Sequence, residues 1–179
     1  MRFNKPVYYI AAAIIAMVAL NSCLDDNDTI NDYSEWRLKN ATFFEELGTE
    51  TDENGALVYE KLSPVWDKSF YILFHRHNEW EEGGNHLTPL SNSTVNVKYT
   101  LTNIEGDTLD SSASMNCTPN SMITGFWTAL TNMREKDTVT AVIPYSAAYG
   151  VYGSGAILPY STLIFGIRLD SIIAYEWKP

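Results

Sequence analysis

The sequence is poor in the residues on which several classes of function depend. Its 179 residues include only two cysteines and three histidines, and 12 lysines and arginines stand against 22 aspartates and glutamates. The formal net charge of −10 repels nucleic acid, and no basic patch offsets the repulsion, so no nucleic-acid partner is expected. Hydrophobic residues make up 45% of the chain, which is enough to bury the core of one domain.

The sequence also lacks the motifs of the common catalytic classes. It has no Gly-x-Ser-x-Gly elbow and no phosphate-binding loop. The segment GVYGSG (150–155) spaces its glycines in the reverse of the dinucleotide fingerprint, and it precedes a predicted strand where that motif needs a helix. His75, His77 and His86 are read as ordinary strand and loop histidines rather than as metal ligands. No cofactor and no metal are expected.

The first 22 residues have the composition of a signal peptide. A basic start at Arg2 and Lys5 is followed by 14 apolar residues, Val7–Leu20, which are too few for a comfortable membrane span. The next residues, LNSC, resemble a bacterial lipobox in which cleavage precedes Cys23 and the sulfur is lipidated. The alternative is an ordinary signal peptide and a chance cysteine. The lipobox predicts an outer-membrane lipoprotein of the bacterial cell envelope that is anchored to the membrane through lipidated Cys23. It would be periplasmic or surface-exposed.

Residues 23–68 are predicted to be a tether with a helical extension. The run LDDNDTINDYS is polar and acidic, and it is either an export signal of surface lipoproteins or a solubilising linker. In Ser34–Leu47 the apolar residues recur near helical spacing, and Gly48 is a stop signal. Lipidation of Cys23 leaves Cys117 as the one free thiol, within a polar run that favours a bystander over a reactive group.

Residues 69–179 show alternating strand patterns around a single short helical pattern. In TVNVKYTLT, Val95, Val97 and Leu101 share one face with Tyr99, which is typical of a half-buried antiparallel strand. MITGFWTALTNM (122–133) places its apolar residues on one helical face about three turns long. No long helices separate the strands. The expected fold is therefore α+β, an antiparallel sheet wrapped around one short α-helix, preceded by the helical extension and the lipoprotein tether.

Four collinear blocks resemble the FK506-binding-protein-type (FKBP-type) peptidyl-prolyl cis-trans isomerases. VNVKYTLTNIEGDTLDSS is similar to the family pattern V-x-V-x-Y-x-G-x-L-x-x-G-x-x-F-D-S-S. MITGFWTALTNM is similar to V-I-x-G-W-x-x-x-L-x-x-M, and DTVTAVIPYSAAYG to a strand that ends I-P-x-x-x-A-Y-G. ILPYSTLIFGIRL is similar to I-P-P-x-x-x-L-x-F-x-V-x-L. The resemblance implies an isomerase of X–Pro bonds with proline-containing polypeptides as partners and FK506-like macrolides as inhibitors.

The resemblance also implies which residues form an aromatic pocket for the proline ring. Those that correspond to the family's pocket and catalytic positions are Tyr99, Asp110, Ile123, Phe126, Tyr149 and Phe165. Those expected to contact substrate around them are Leu109, Met122, Ile157 and Leu158. Without the family pattern, the aromatic residues Tyr99, Phe126 and Phe165 would be interpreted as plain core, whereas Asp110 and Tyr149 stand at transitions between strand and loop.

Several positions depart from the family. Leu109 replaces a phenylalanine, Phe126 a tryptophan, Leu158 a proline, Leu101 a glycine and Lys136 a turn glycine. Three of these changes touch the pocket walls or the loop. Two functions are therefore predicted. The first is a peptidyl-prolyl isomerase of the cell envelope, and the alternative is an FKBP-like binding module or chaperone with little or no catalysis.

Overall fold

The structure, a computed structural model, describes residues 32–78 and 87–175. The predicted signal peptide, Cys23, residues 24–31 of the acidic run and His86 lie outside the described residues. From Tyr33 onward the described residues belong to one compact unit. None of the helices among them is both long enough and apolar enough to cross a membrane.

Two α-helices, six β-strands and two short 3₁₀ helices make up the described chain. The α-helices are α1, Ser34–Leu47, and α2, Thr124–Leu130. The strands are β1 (Glu60–Leu62), β2 (Ile72–Arg76), β3 (Thr94–Thr102), β4 (Thr108–Cys117), β5 (Thr138–Ile143) and β6 (Leu163–Ala174). The 3₁₀ helices are Pro119–Ser121 and Tyr145–Ala147.

The six strands form one sheet in the order β1-β2-β5-β6-β3-β4. Every neighbouring pair is antiparallel, as the alternating patterns predict. In β3, Val95, Val97 and Leu101 are buried and Tyr99 is half-buried, because a strand turns every second side chain towards the same face. The expected antiparallel α+β fold is thus confirmed.

Helix α2 packs on the inner face of the sheet, and one glycine allows its close approach. A Cβ atom at Gly125 would lie 2.2 Å from Cγ2 of Ile143 on β5, so only glycine fits at this contact. Phe126 and Leu130 enter the main core beside strand residues such as Val97 and Ile167. The helix backbone therefore packs close to the sheet, and Phe126 in its first turn contacts the strands that contain Tyr99 and Phe165.

The helix is shorter than its apolar pattern predicts. Seven residues are helical, and the backbone N–H groups of Asn132 and Met133 bond three residues back, to Ala129 and Leu130. Such bonds tighten the chain into a turn and end the helix. Met133 is nevertheless fully buried, so the pattern identified the buried positions correctly and overestimated the number of helical turns.

Helix α1 covers part of the other face of the sheet. Phe44 forms a second apolar cluster with Leu73 of β2 and Val142 of β5. These two strand residues alternate with residues of the main core, so they point to the opposite face. The sheet also includes β1, which pairs with β2 and lies ahead of Ser69, the predicted start of the domain. Its Glu60 and Lys61 are exposed, which explains why no apolar alternation marks this strand.

Candidate active site

Three aromatic rings meet where β3, β6 and α2 come together. The ring centroids of Phe126 and Phe165 are 5.0 Å apart, and the two rings are inclined by 67°. Tyr99 lies 5.9 Å from Phe126 and 6.1 Å from Phe165. Phe126 is 1% exposed and Phe165 is 5% exposed, whereas Tyr99 is half-buried. The three rings therefore form an apolar floor that Tyr99 joins to the surface, with the tilted geometry that aromatic pairs favour.

The rim of this floor carries a short hydrogen bond. The hydroxyl of Tyr99 donates to Oδ2 of Asp110 over 2.6 Å, and Oδ1 of Asp110 accepts from the backbone N–H of Ser111. Burial raises the pKa of Tyr99 to about 12, with further contributions from Asp110 and from neighbouring Tyr149. The phenol is therefore protonated across the physiological range, and it acts as a fixed donor that holds the carboxylate at the rim.

The first turn of α2 brings two further predicted residues to the same region. Ile123 is the residue before the helix, and its carbonyl accepts the N–H of Trp127 over 3.0 Å. The backbone N–H of Ile123 donates to no described residue. The side chains of Met122, Ile123 and Leu109 all pack against the main core in a partly buried state. The start of α2 thus places two partly buried apolar side chains next to a backbone N–H that bonds to no described residue.

The segment from Tyr145 to Thr162 folds as a tight loop. The N–H of Gly150 donates to the carbonyl of Tyr145, and the N–H of Tyr160 donates to the carbonyl of Gly150. At the tip, Ser154 and Ile157 exchange backbone hydrogen bonds of 2.9 and 2.8 Å. These bonds fix the loop on both sides, although its glycines give it the composition of a flexible linker.

The loop residues predicted for the site differ in their surroundings. Ile157 packs against the main core, whereas Leu158 is 45% exposed. Tyr149 is 36% exposed, and its hydroxyl makes no hydrogen bond with a described residue. The structure therefore brings the three aromatic rings and Asp110 together, places Ile123 and Ile157 against the same core cluster, and leaves Leu158 exposed.

Gly153 is a residue that the sequence patterns did not assign to the site. Its φ of +68° lies in the left-handed region, and a Cβ atom there would lie 2.2 Å from the carbonyl oxygen of Ile157. The backbone of Gly153 and that of the pocket wall are therefore in direct contact. The reversed glycine spacing of residues 150–155 was the signal in the sequence, but only the fold shows which glycine is constrained by contact.

Other candidate groups are engaged in structural contacts. His75 Nδ1 lies 2.7 Å from the carbonyl oxygen of Val58, and His77 Nε2 lies 2.8 Å from Oγ1 of Thr140. No group of three potential metal ligands occurs within residues 32–78 and 87–175. Cys117 packs against the core, and burial raises the pKa of its thiol, which disfavours the reactive thiolate.

Lys136, at the family's turn glycine, adopts a left-handed φ of +73°. Its N–H donates to the carbonyl of Leu169, and its Nζ donates to that of Asp170 over 2.6 Å. A left-handed conformation costs a non-glycine residue about 1–2 kcal/mol. These two bonds to β6 hold the lysine in a conformation that glycine adopts freely.

Comparison with known proteins gives consistent matches. Residues 86–170 match the family model described as FKBP-type peptidyl-prolyl cis-trans isomerase. A curated relative, the macrophage infectivity potentiator of Trypanosoma cruzi, is 38% identical over 95 residues, which are 50% of this chain and 48% of that protein. The chain thus spans about half the length of this relative.

Two solved structures are similar in fold. The peptidyl-prolyl cis-trans isomerase of Pseudomonas syringae pv. tomato matches with a TM-score of 0.62 and 27% identity, over 76% of this chain and 93% of that one. FkpA of Escherichia coli matches with a TM-score of 0.56 over 96% of this chain and 83% of that one, and its 22% identity supports the fold alone. Through residues 86–170, the chain is similar to the FKBP-type peptidyl-prolyl cis-trans isomerase family.

Proposed function

We propose that this protein accelerates the cis–trans isomerisation of X–Pro bonds in polypeptides. One observation carries the proposal: Tyr99, Phe126 and Phe165 form a cluster of rings, and one helical turn before Phe126 the backbone N–H of Ile123 has no described acceptor. A proline ring is apolar and fits an aromatic floor, and the carbonyls that flank it need donors. The relatives named as peptidyl-prolyl cis-trans isomerases support the same activity.

The mechanism requires binding rather than bond chemistry. Rotation about an X–Pro bond faces a barrier of about 20 kcal/mol, because the amide loses its resonance as it twists. The planar amide is the more polar form, so a dry aromatic floor tolerates the twisted form better and lowers the barrier by differential binding. The Ile123 N–H and the Tyr149 hydroxyl hold carbonyls of the bound chain, while the Asp110 carboxylate stays fixed at the rim by Tyr99.

A proline-isomerisation assay tests the proposal. A short peptide with one X–Pro bond is mixed with purified protein covering residues 24–179, and the relaxation rate is measured against protein concentration. We expect the rate to rise linearly with concentration and to return to the uncatalysed value when an FK506-like macrolide is added. A rate equal to the uncatalysed one at high protein concentration would refute the isomerase.

A second function is favoured by two residues, Leu109 and Leu158, that differ from the family pattern. Leu109 and Leu158 stand where the family has phenylalanine and proline, and Leu158 is 45% exposed at the edge of the site. A binding module or chaperone on the same fold retains affinity for proline-containing chains and does not select the twisted amide. Saturable binding of a proline peptide, measured by fluorescence titration, together with an unchanged isomerisation rate would establish this second function.

Tyr149→Phe separates the role of the loop hydroxyl from that of the ring. The hydroxyl bonds to no described residue and is partly exposed, so its removal should leave the melting temperature nearly unchanged. Loss of one donor to a ligand costs about 1–3 kcal/mol, and we expect kcat/KM or macrolide affinity to fall about 5- to 150-fold. Tyr152→Phe is the matched control, because Tyr152 lies in the same loop and is 90% exposed. Equal effects of the two substitutions would remove Tyr149 from the site.

The raised pKa of Tyr99 predicts a pH dependence of stability. Its pKa is about 12 in the folded protein against an ordinary value of 10.0, so the folded state binds this proton more tightly. The resulting stabilisation is complete below pH 10 and is lost as the pH rises from 10 towards 12. Denaturant titrations at a series of pH values should therefore show wild type losing its advantage over Tyr99→Phe within this window. A difference that stays constant through it would contradict the assigned shift.

We also propose that the protein is an envelope lipoprotein, anchored through Cys23 and either periplasmic or surface-exposed, with exported polypeptides as its substrates. The signal-like start and the LNSC segment support this location. Cys23→Ser should release the protein from the membrane fraction or leave the precursor uncleaved, as measured by fractionation and gel mobility. A variant that partitions and migrates like wild type would refute the lipobox, and Cys117→Ser is the control that leaves anchoring intact.

A further inference from the structure

Helix α1 makes a chain of hydrogen bonds with the end of the pocket loop. Nε1 of Trp36 donates to Oγ of Ser161 over 3.1 Å, and Oγ of Ser161 donates to the carbonyl of Leu158 over 2.7 Å. Leu158 directly follows Ile157, the wall residue of the candidate site. The indole of α1 is therefore linked, through one serine, to the backbone next to the pocket wall.

A second set of bonds joins α1 to the next loop residue. Oδ1 of Asn40 accepts the N–H of Thr162 over 2.6 Å, and Oγ1 of Thr162 donates to the carbonyl of Asn40. Nδ2 of Asn40 donates to the carbonyl of Trp36, which fixes the amide in this orientation. Asn40, Ser161 and Thr162 are between 1% and 4% exposed, so breaking these bonds would leave buried polar groups without partners.

The loop needs this support because one of its residues is strained. Tyr160 has a left-handed φ of +61°, which is rare for a residue with a side chain. Its ring packs edge-on against Tyr145 at 5.3 Å, and the guanidinium of Arg37 on α1 lies 5.0 Å from its centroid. Strained backbone persists only where its surroundings hold it in place. Helix α1 supplies one side of that surrounding structure.

We propose that Trp36 and Asn40 are positioning residues of the candidate site. They hold Leu158–Thr162, and through this segment the Ile157 wall, in the shape that a proline ring requires. The inference rests on the proposed function for its catalytic consequence, but the bracing of the loop stands on the contacts alone. It also makes α1, which precedes the matched family segment 86–170, a working part of the site.

Three single substitutions test the proposal in protein covering residues 24–179, well below its melting temperature. Trp36→Phe removes the indole donor and keeps a ring, Ser161→Ala removes both bonds of the serine, and Asn40→Ala removes the bonds of the amide side chain. Hydrogen exchange of residues 148–158 and kcat/KM are measured for each. Leu38→Ala is the control, because Leu38 lies on α1 and is 68% exposed.

We expect exchange in the loop to accelerate about tenfold for Ser161→Ala and Asn40→Ala and about threefold for Trp36→Phe, with α2 and β3 unchanged. kcat/KM should fall about fivefold to tenfold, mainly through KM, because an open wall binds proline less tightly. The Leu38→Ala control should match wild type in both measurements. If Asn40→Ala fails to fold, Trp36→Phe and Ser161→Ala carry the test.

Folded variants with wild-type loop exchange would overturn the bracing. Faster exchange with an unchanged kcat/KM would overturn the positioning role, because α1 would then serve stability alone. If wild-type protein shows no isomerisation, the proposed function fails separately, and loop exchange together with the affinity for a proline peptide decides the positioning role.

Discussion

Phe126→Ala should lower the free energy of unfolding by about 3–5 kcal/mol and remove the candidate activity. The side chain is 1% exposed and packs against both other rings of the floor, so truncation leaves a cavity in the core and opens the floor of the pocket. Denaturant titration measures the first effect and the peptide assay the second. Trp127→Ala is a neighbouring control, since Trp127 is half-buried, stacks on Trp66 and makes no ring contact with the floor. Under conditions in which the Trp127→Ala variant is fully folded, its activity should be close to that of wild type.

A second substitution at the same position separates the two proposed functions. Phe126→Trp restores the residue usual in the family. If the phenylalanine is a tolerated variant of a working floor, the indole should preserve or raise kcat/KM at little cost in stability. If the floor has been reshaped for another ligand, the added ring should overpack against Tyr99 and Phe165 and destabilise the fold by about 1–3 kcal/mol without a gain in activity. The second outcome counts for the binding module.

Much of the sheet was predictable because its pattern is local. The alternation in β3 follows from which side chains face the core, and both neighbouring strands confirm its position in the sheet. Two features of the sheet do not follow from a local apolar pattern. Val142 of β5 is buried on the face opposite the main core, because α1 covers that face of the sheet. Strand β1 has only three residues, of which two are exposed and charged, so no apolar pattern predicts it. The local sequence of β5 does not predict its contact with Phe44 of α1, which lies more than ninety residues earlier in the chain.

Strand β4 shows the same limit at the edge of the sheet. The block that resembles the family pattern ends at Ser112, whereas the structure continues the strand from Thr108 to Cys117. Among the described strands, β4 pairs only with β3, so most of its side chains are exposed and polar residues are tolerated at most positions. The same exposure places Asp110 at the rim of the site, where its carboxylate reaches Tyr99.

The candidate site was predictable at the level of residue types and not at the level of its supports. The family resemblance predicts the three aromatic positions, and the structure places these rings in contact. The bonds from Trp36 and Asn40 join positions that are 125 and 122 residues apart, and no local spacing encodes them. The demand for glycine at position 153 likewise depends on where the chain returns at Ile157.

Gly153→Ala should disrupt the loop and abolish the candidate activity while the sheet stays folded. The new methyl group would meet the Ile157 carbonyl oxygen at 2.2 Å and the Leu158 carbonyl carbon at 2.9 Å, and both atoms belong to the backbone. No change of rotamer relieves such a contact, so the wall segment must move away from the aromatic floor. We expect kcat/KM to fall at least tenfold and hydrogen exchange to accelerate across residues 148–158.

Gly155→Ala is the control that separates this contact from backbone strain. Gly155 has a similar left-handed φ of +55°, but no atom lies within 4 Å of the position that its Cβ would occupy. Both substitutions therefore incur the left-handed penalty of about 1–2 kcal/mol, and only Gly153→Ala adds the collision. Equal effects on kcat/KM would show that strain alone disables the loop. A larger effect at Gly153, with Gly155→Ala close to wild type in activity, would show that the contact between Gly153 and the Ile157 wall sets the shape of the site.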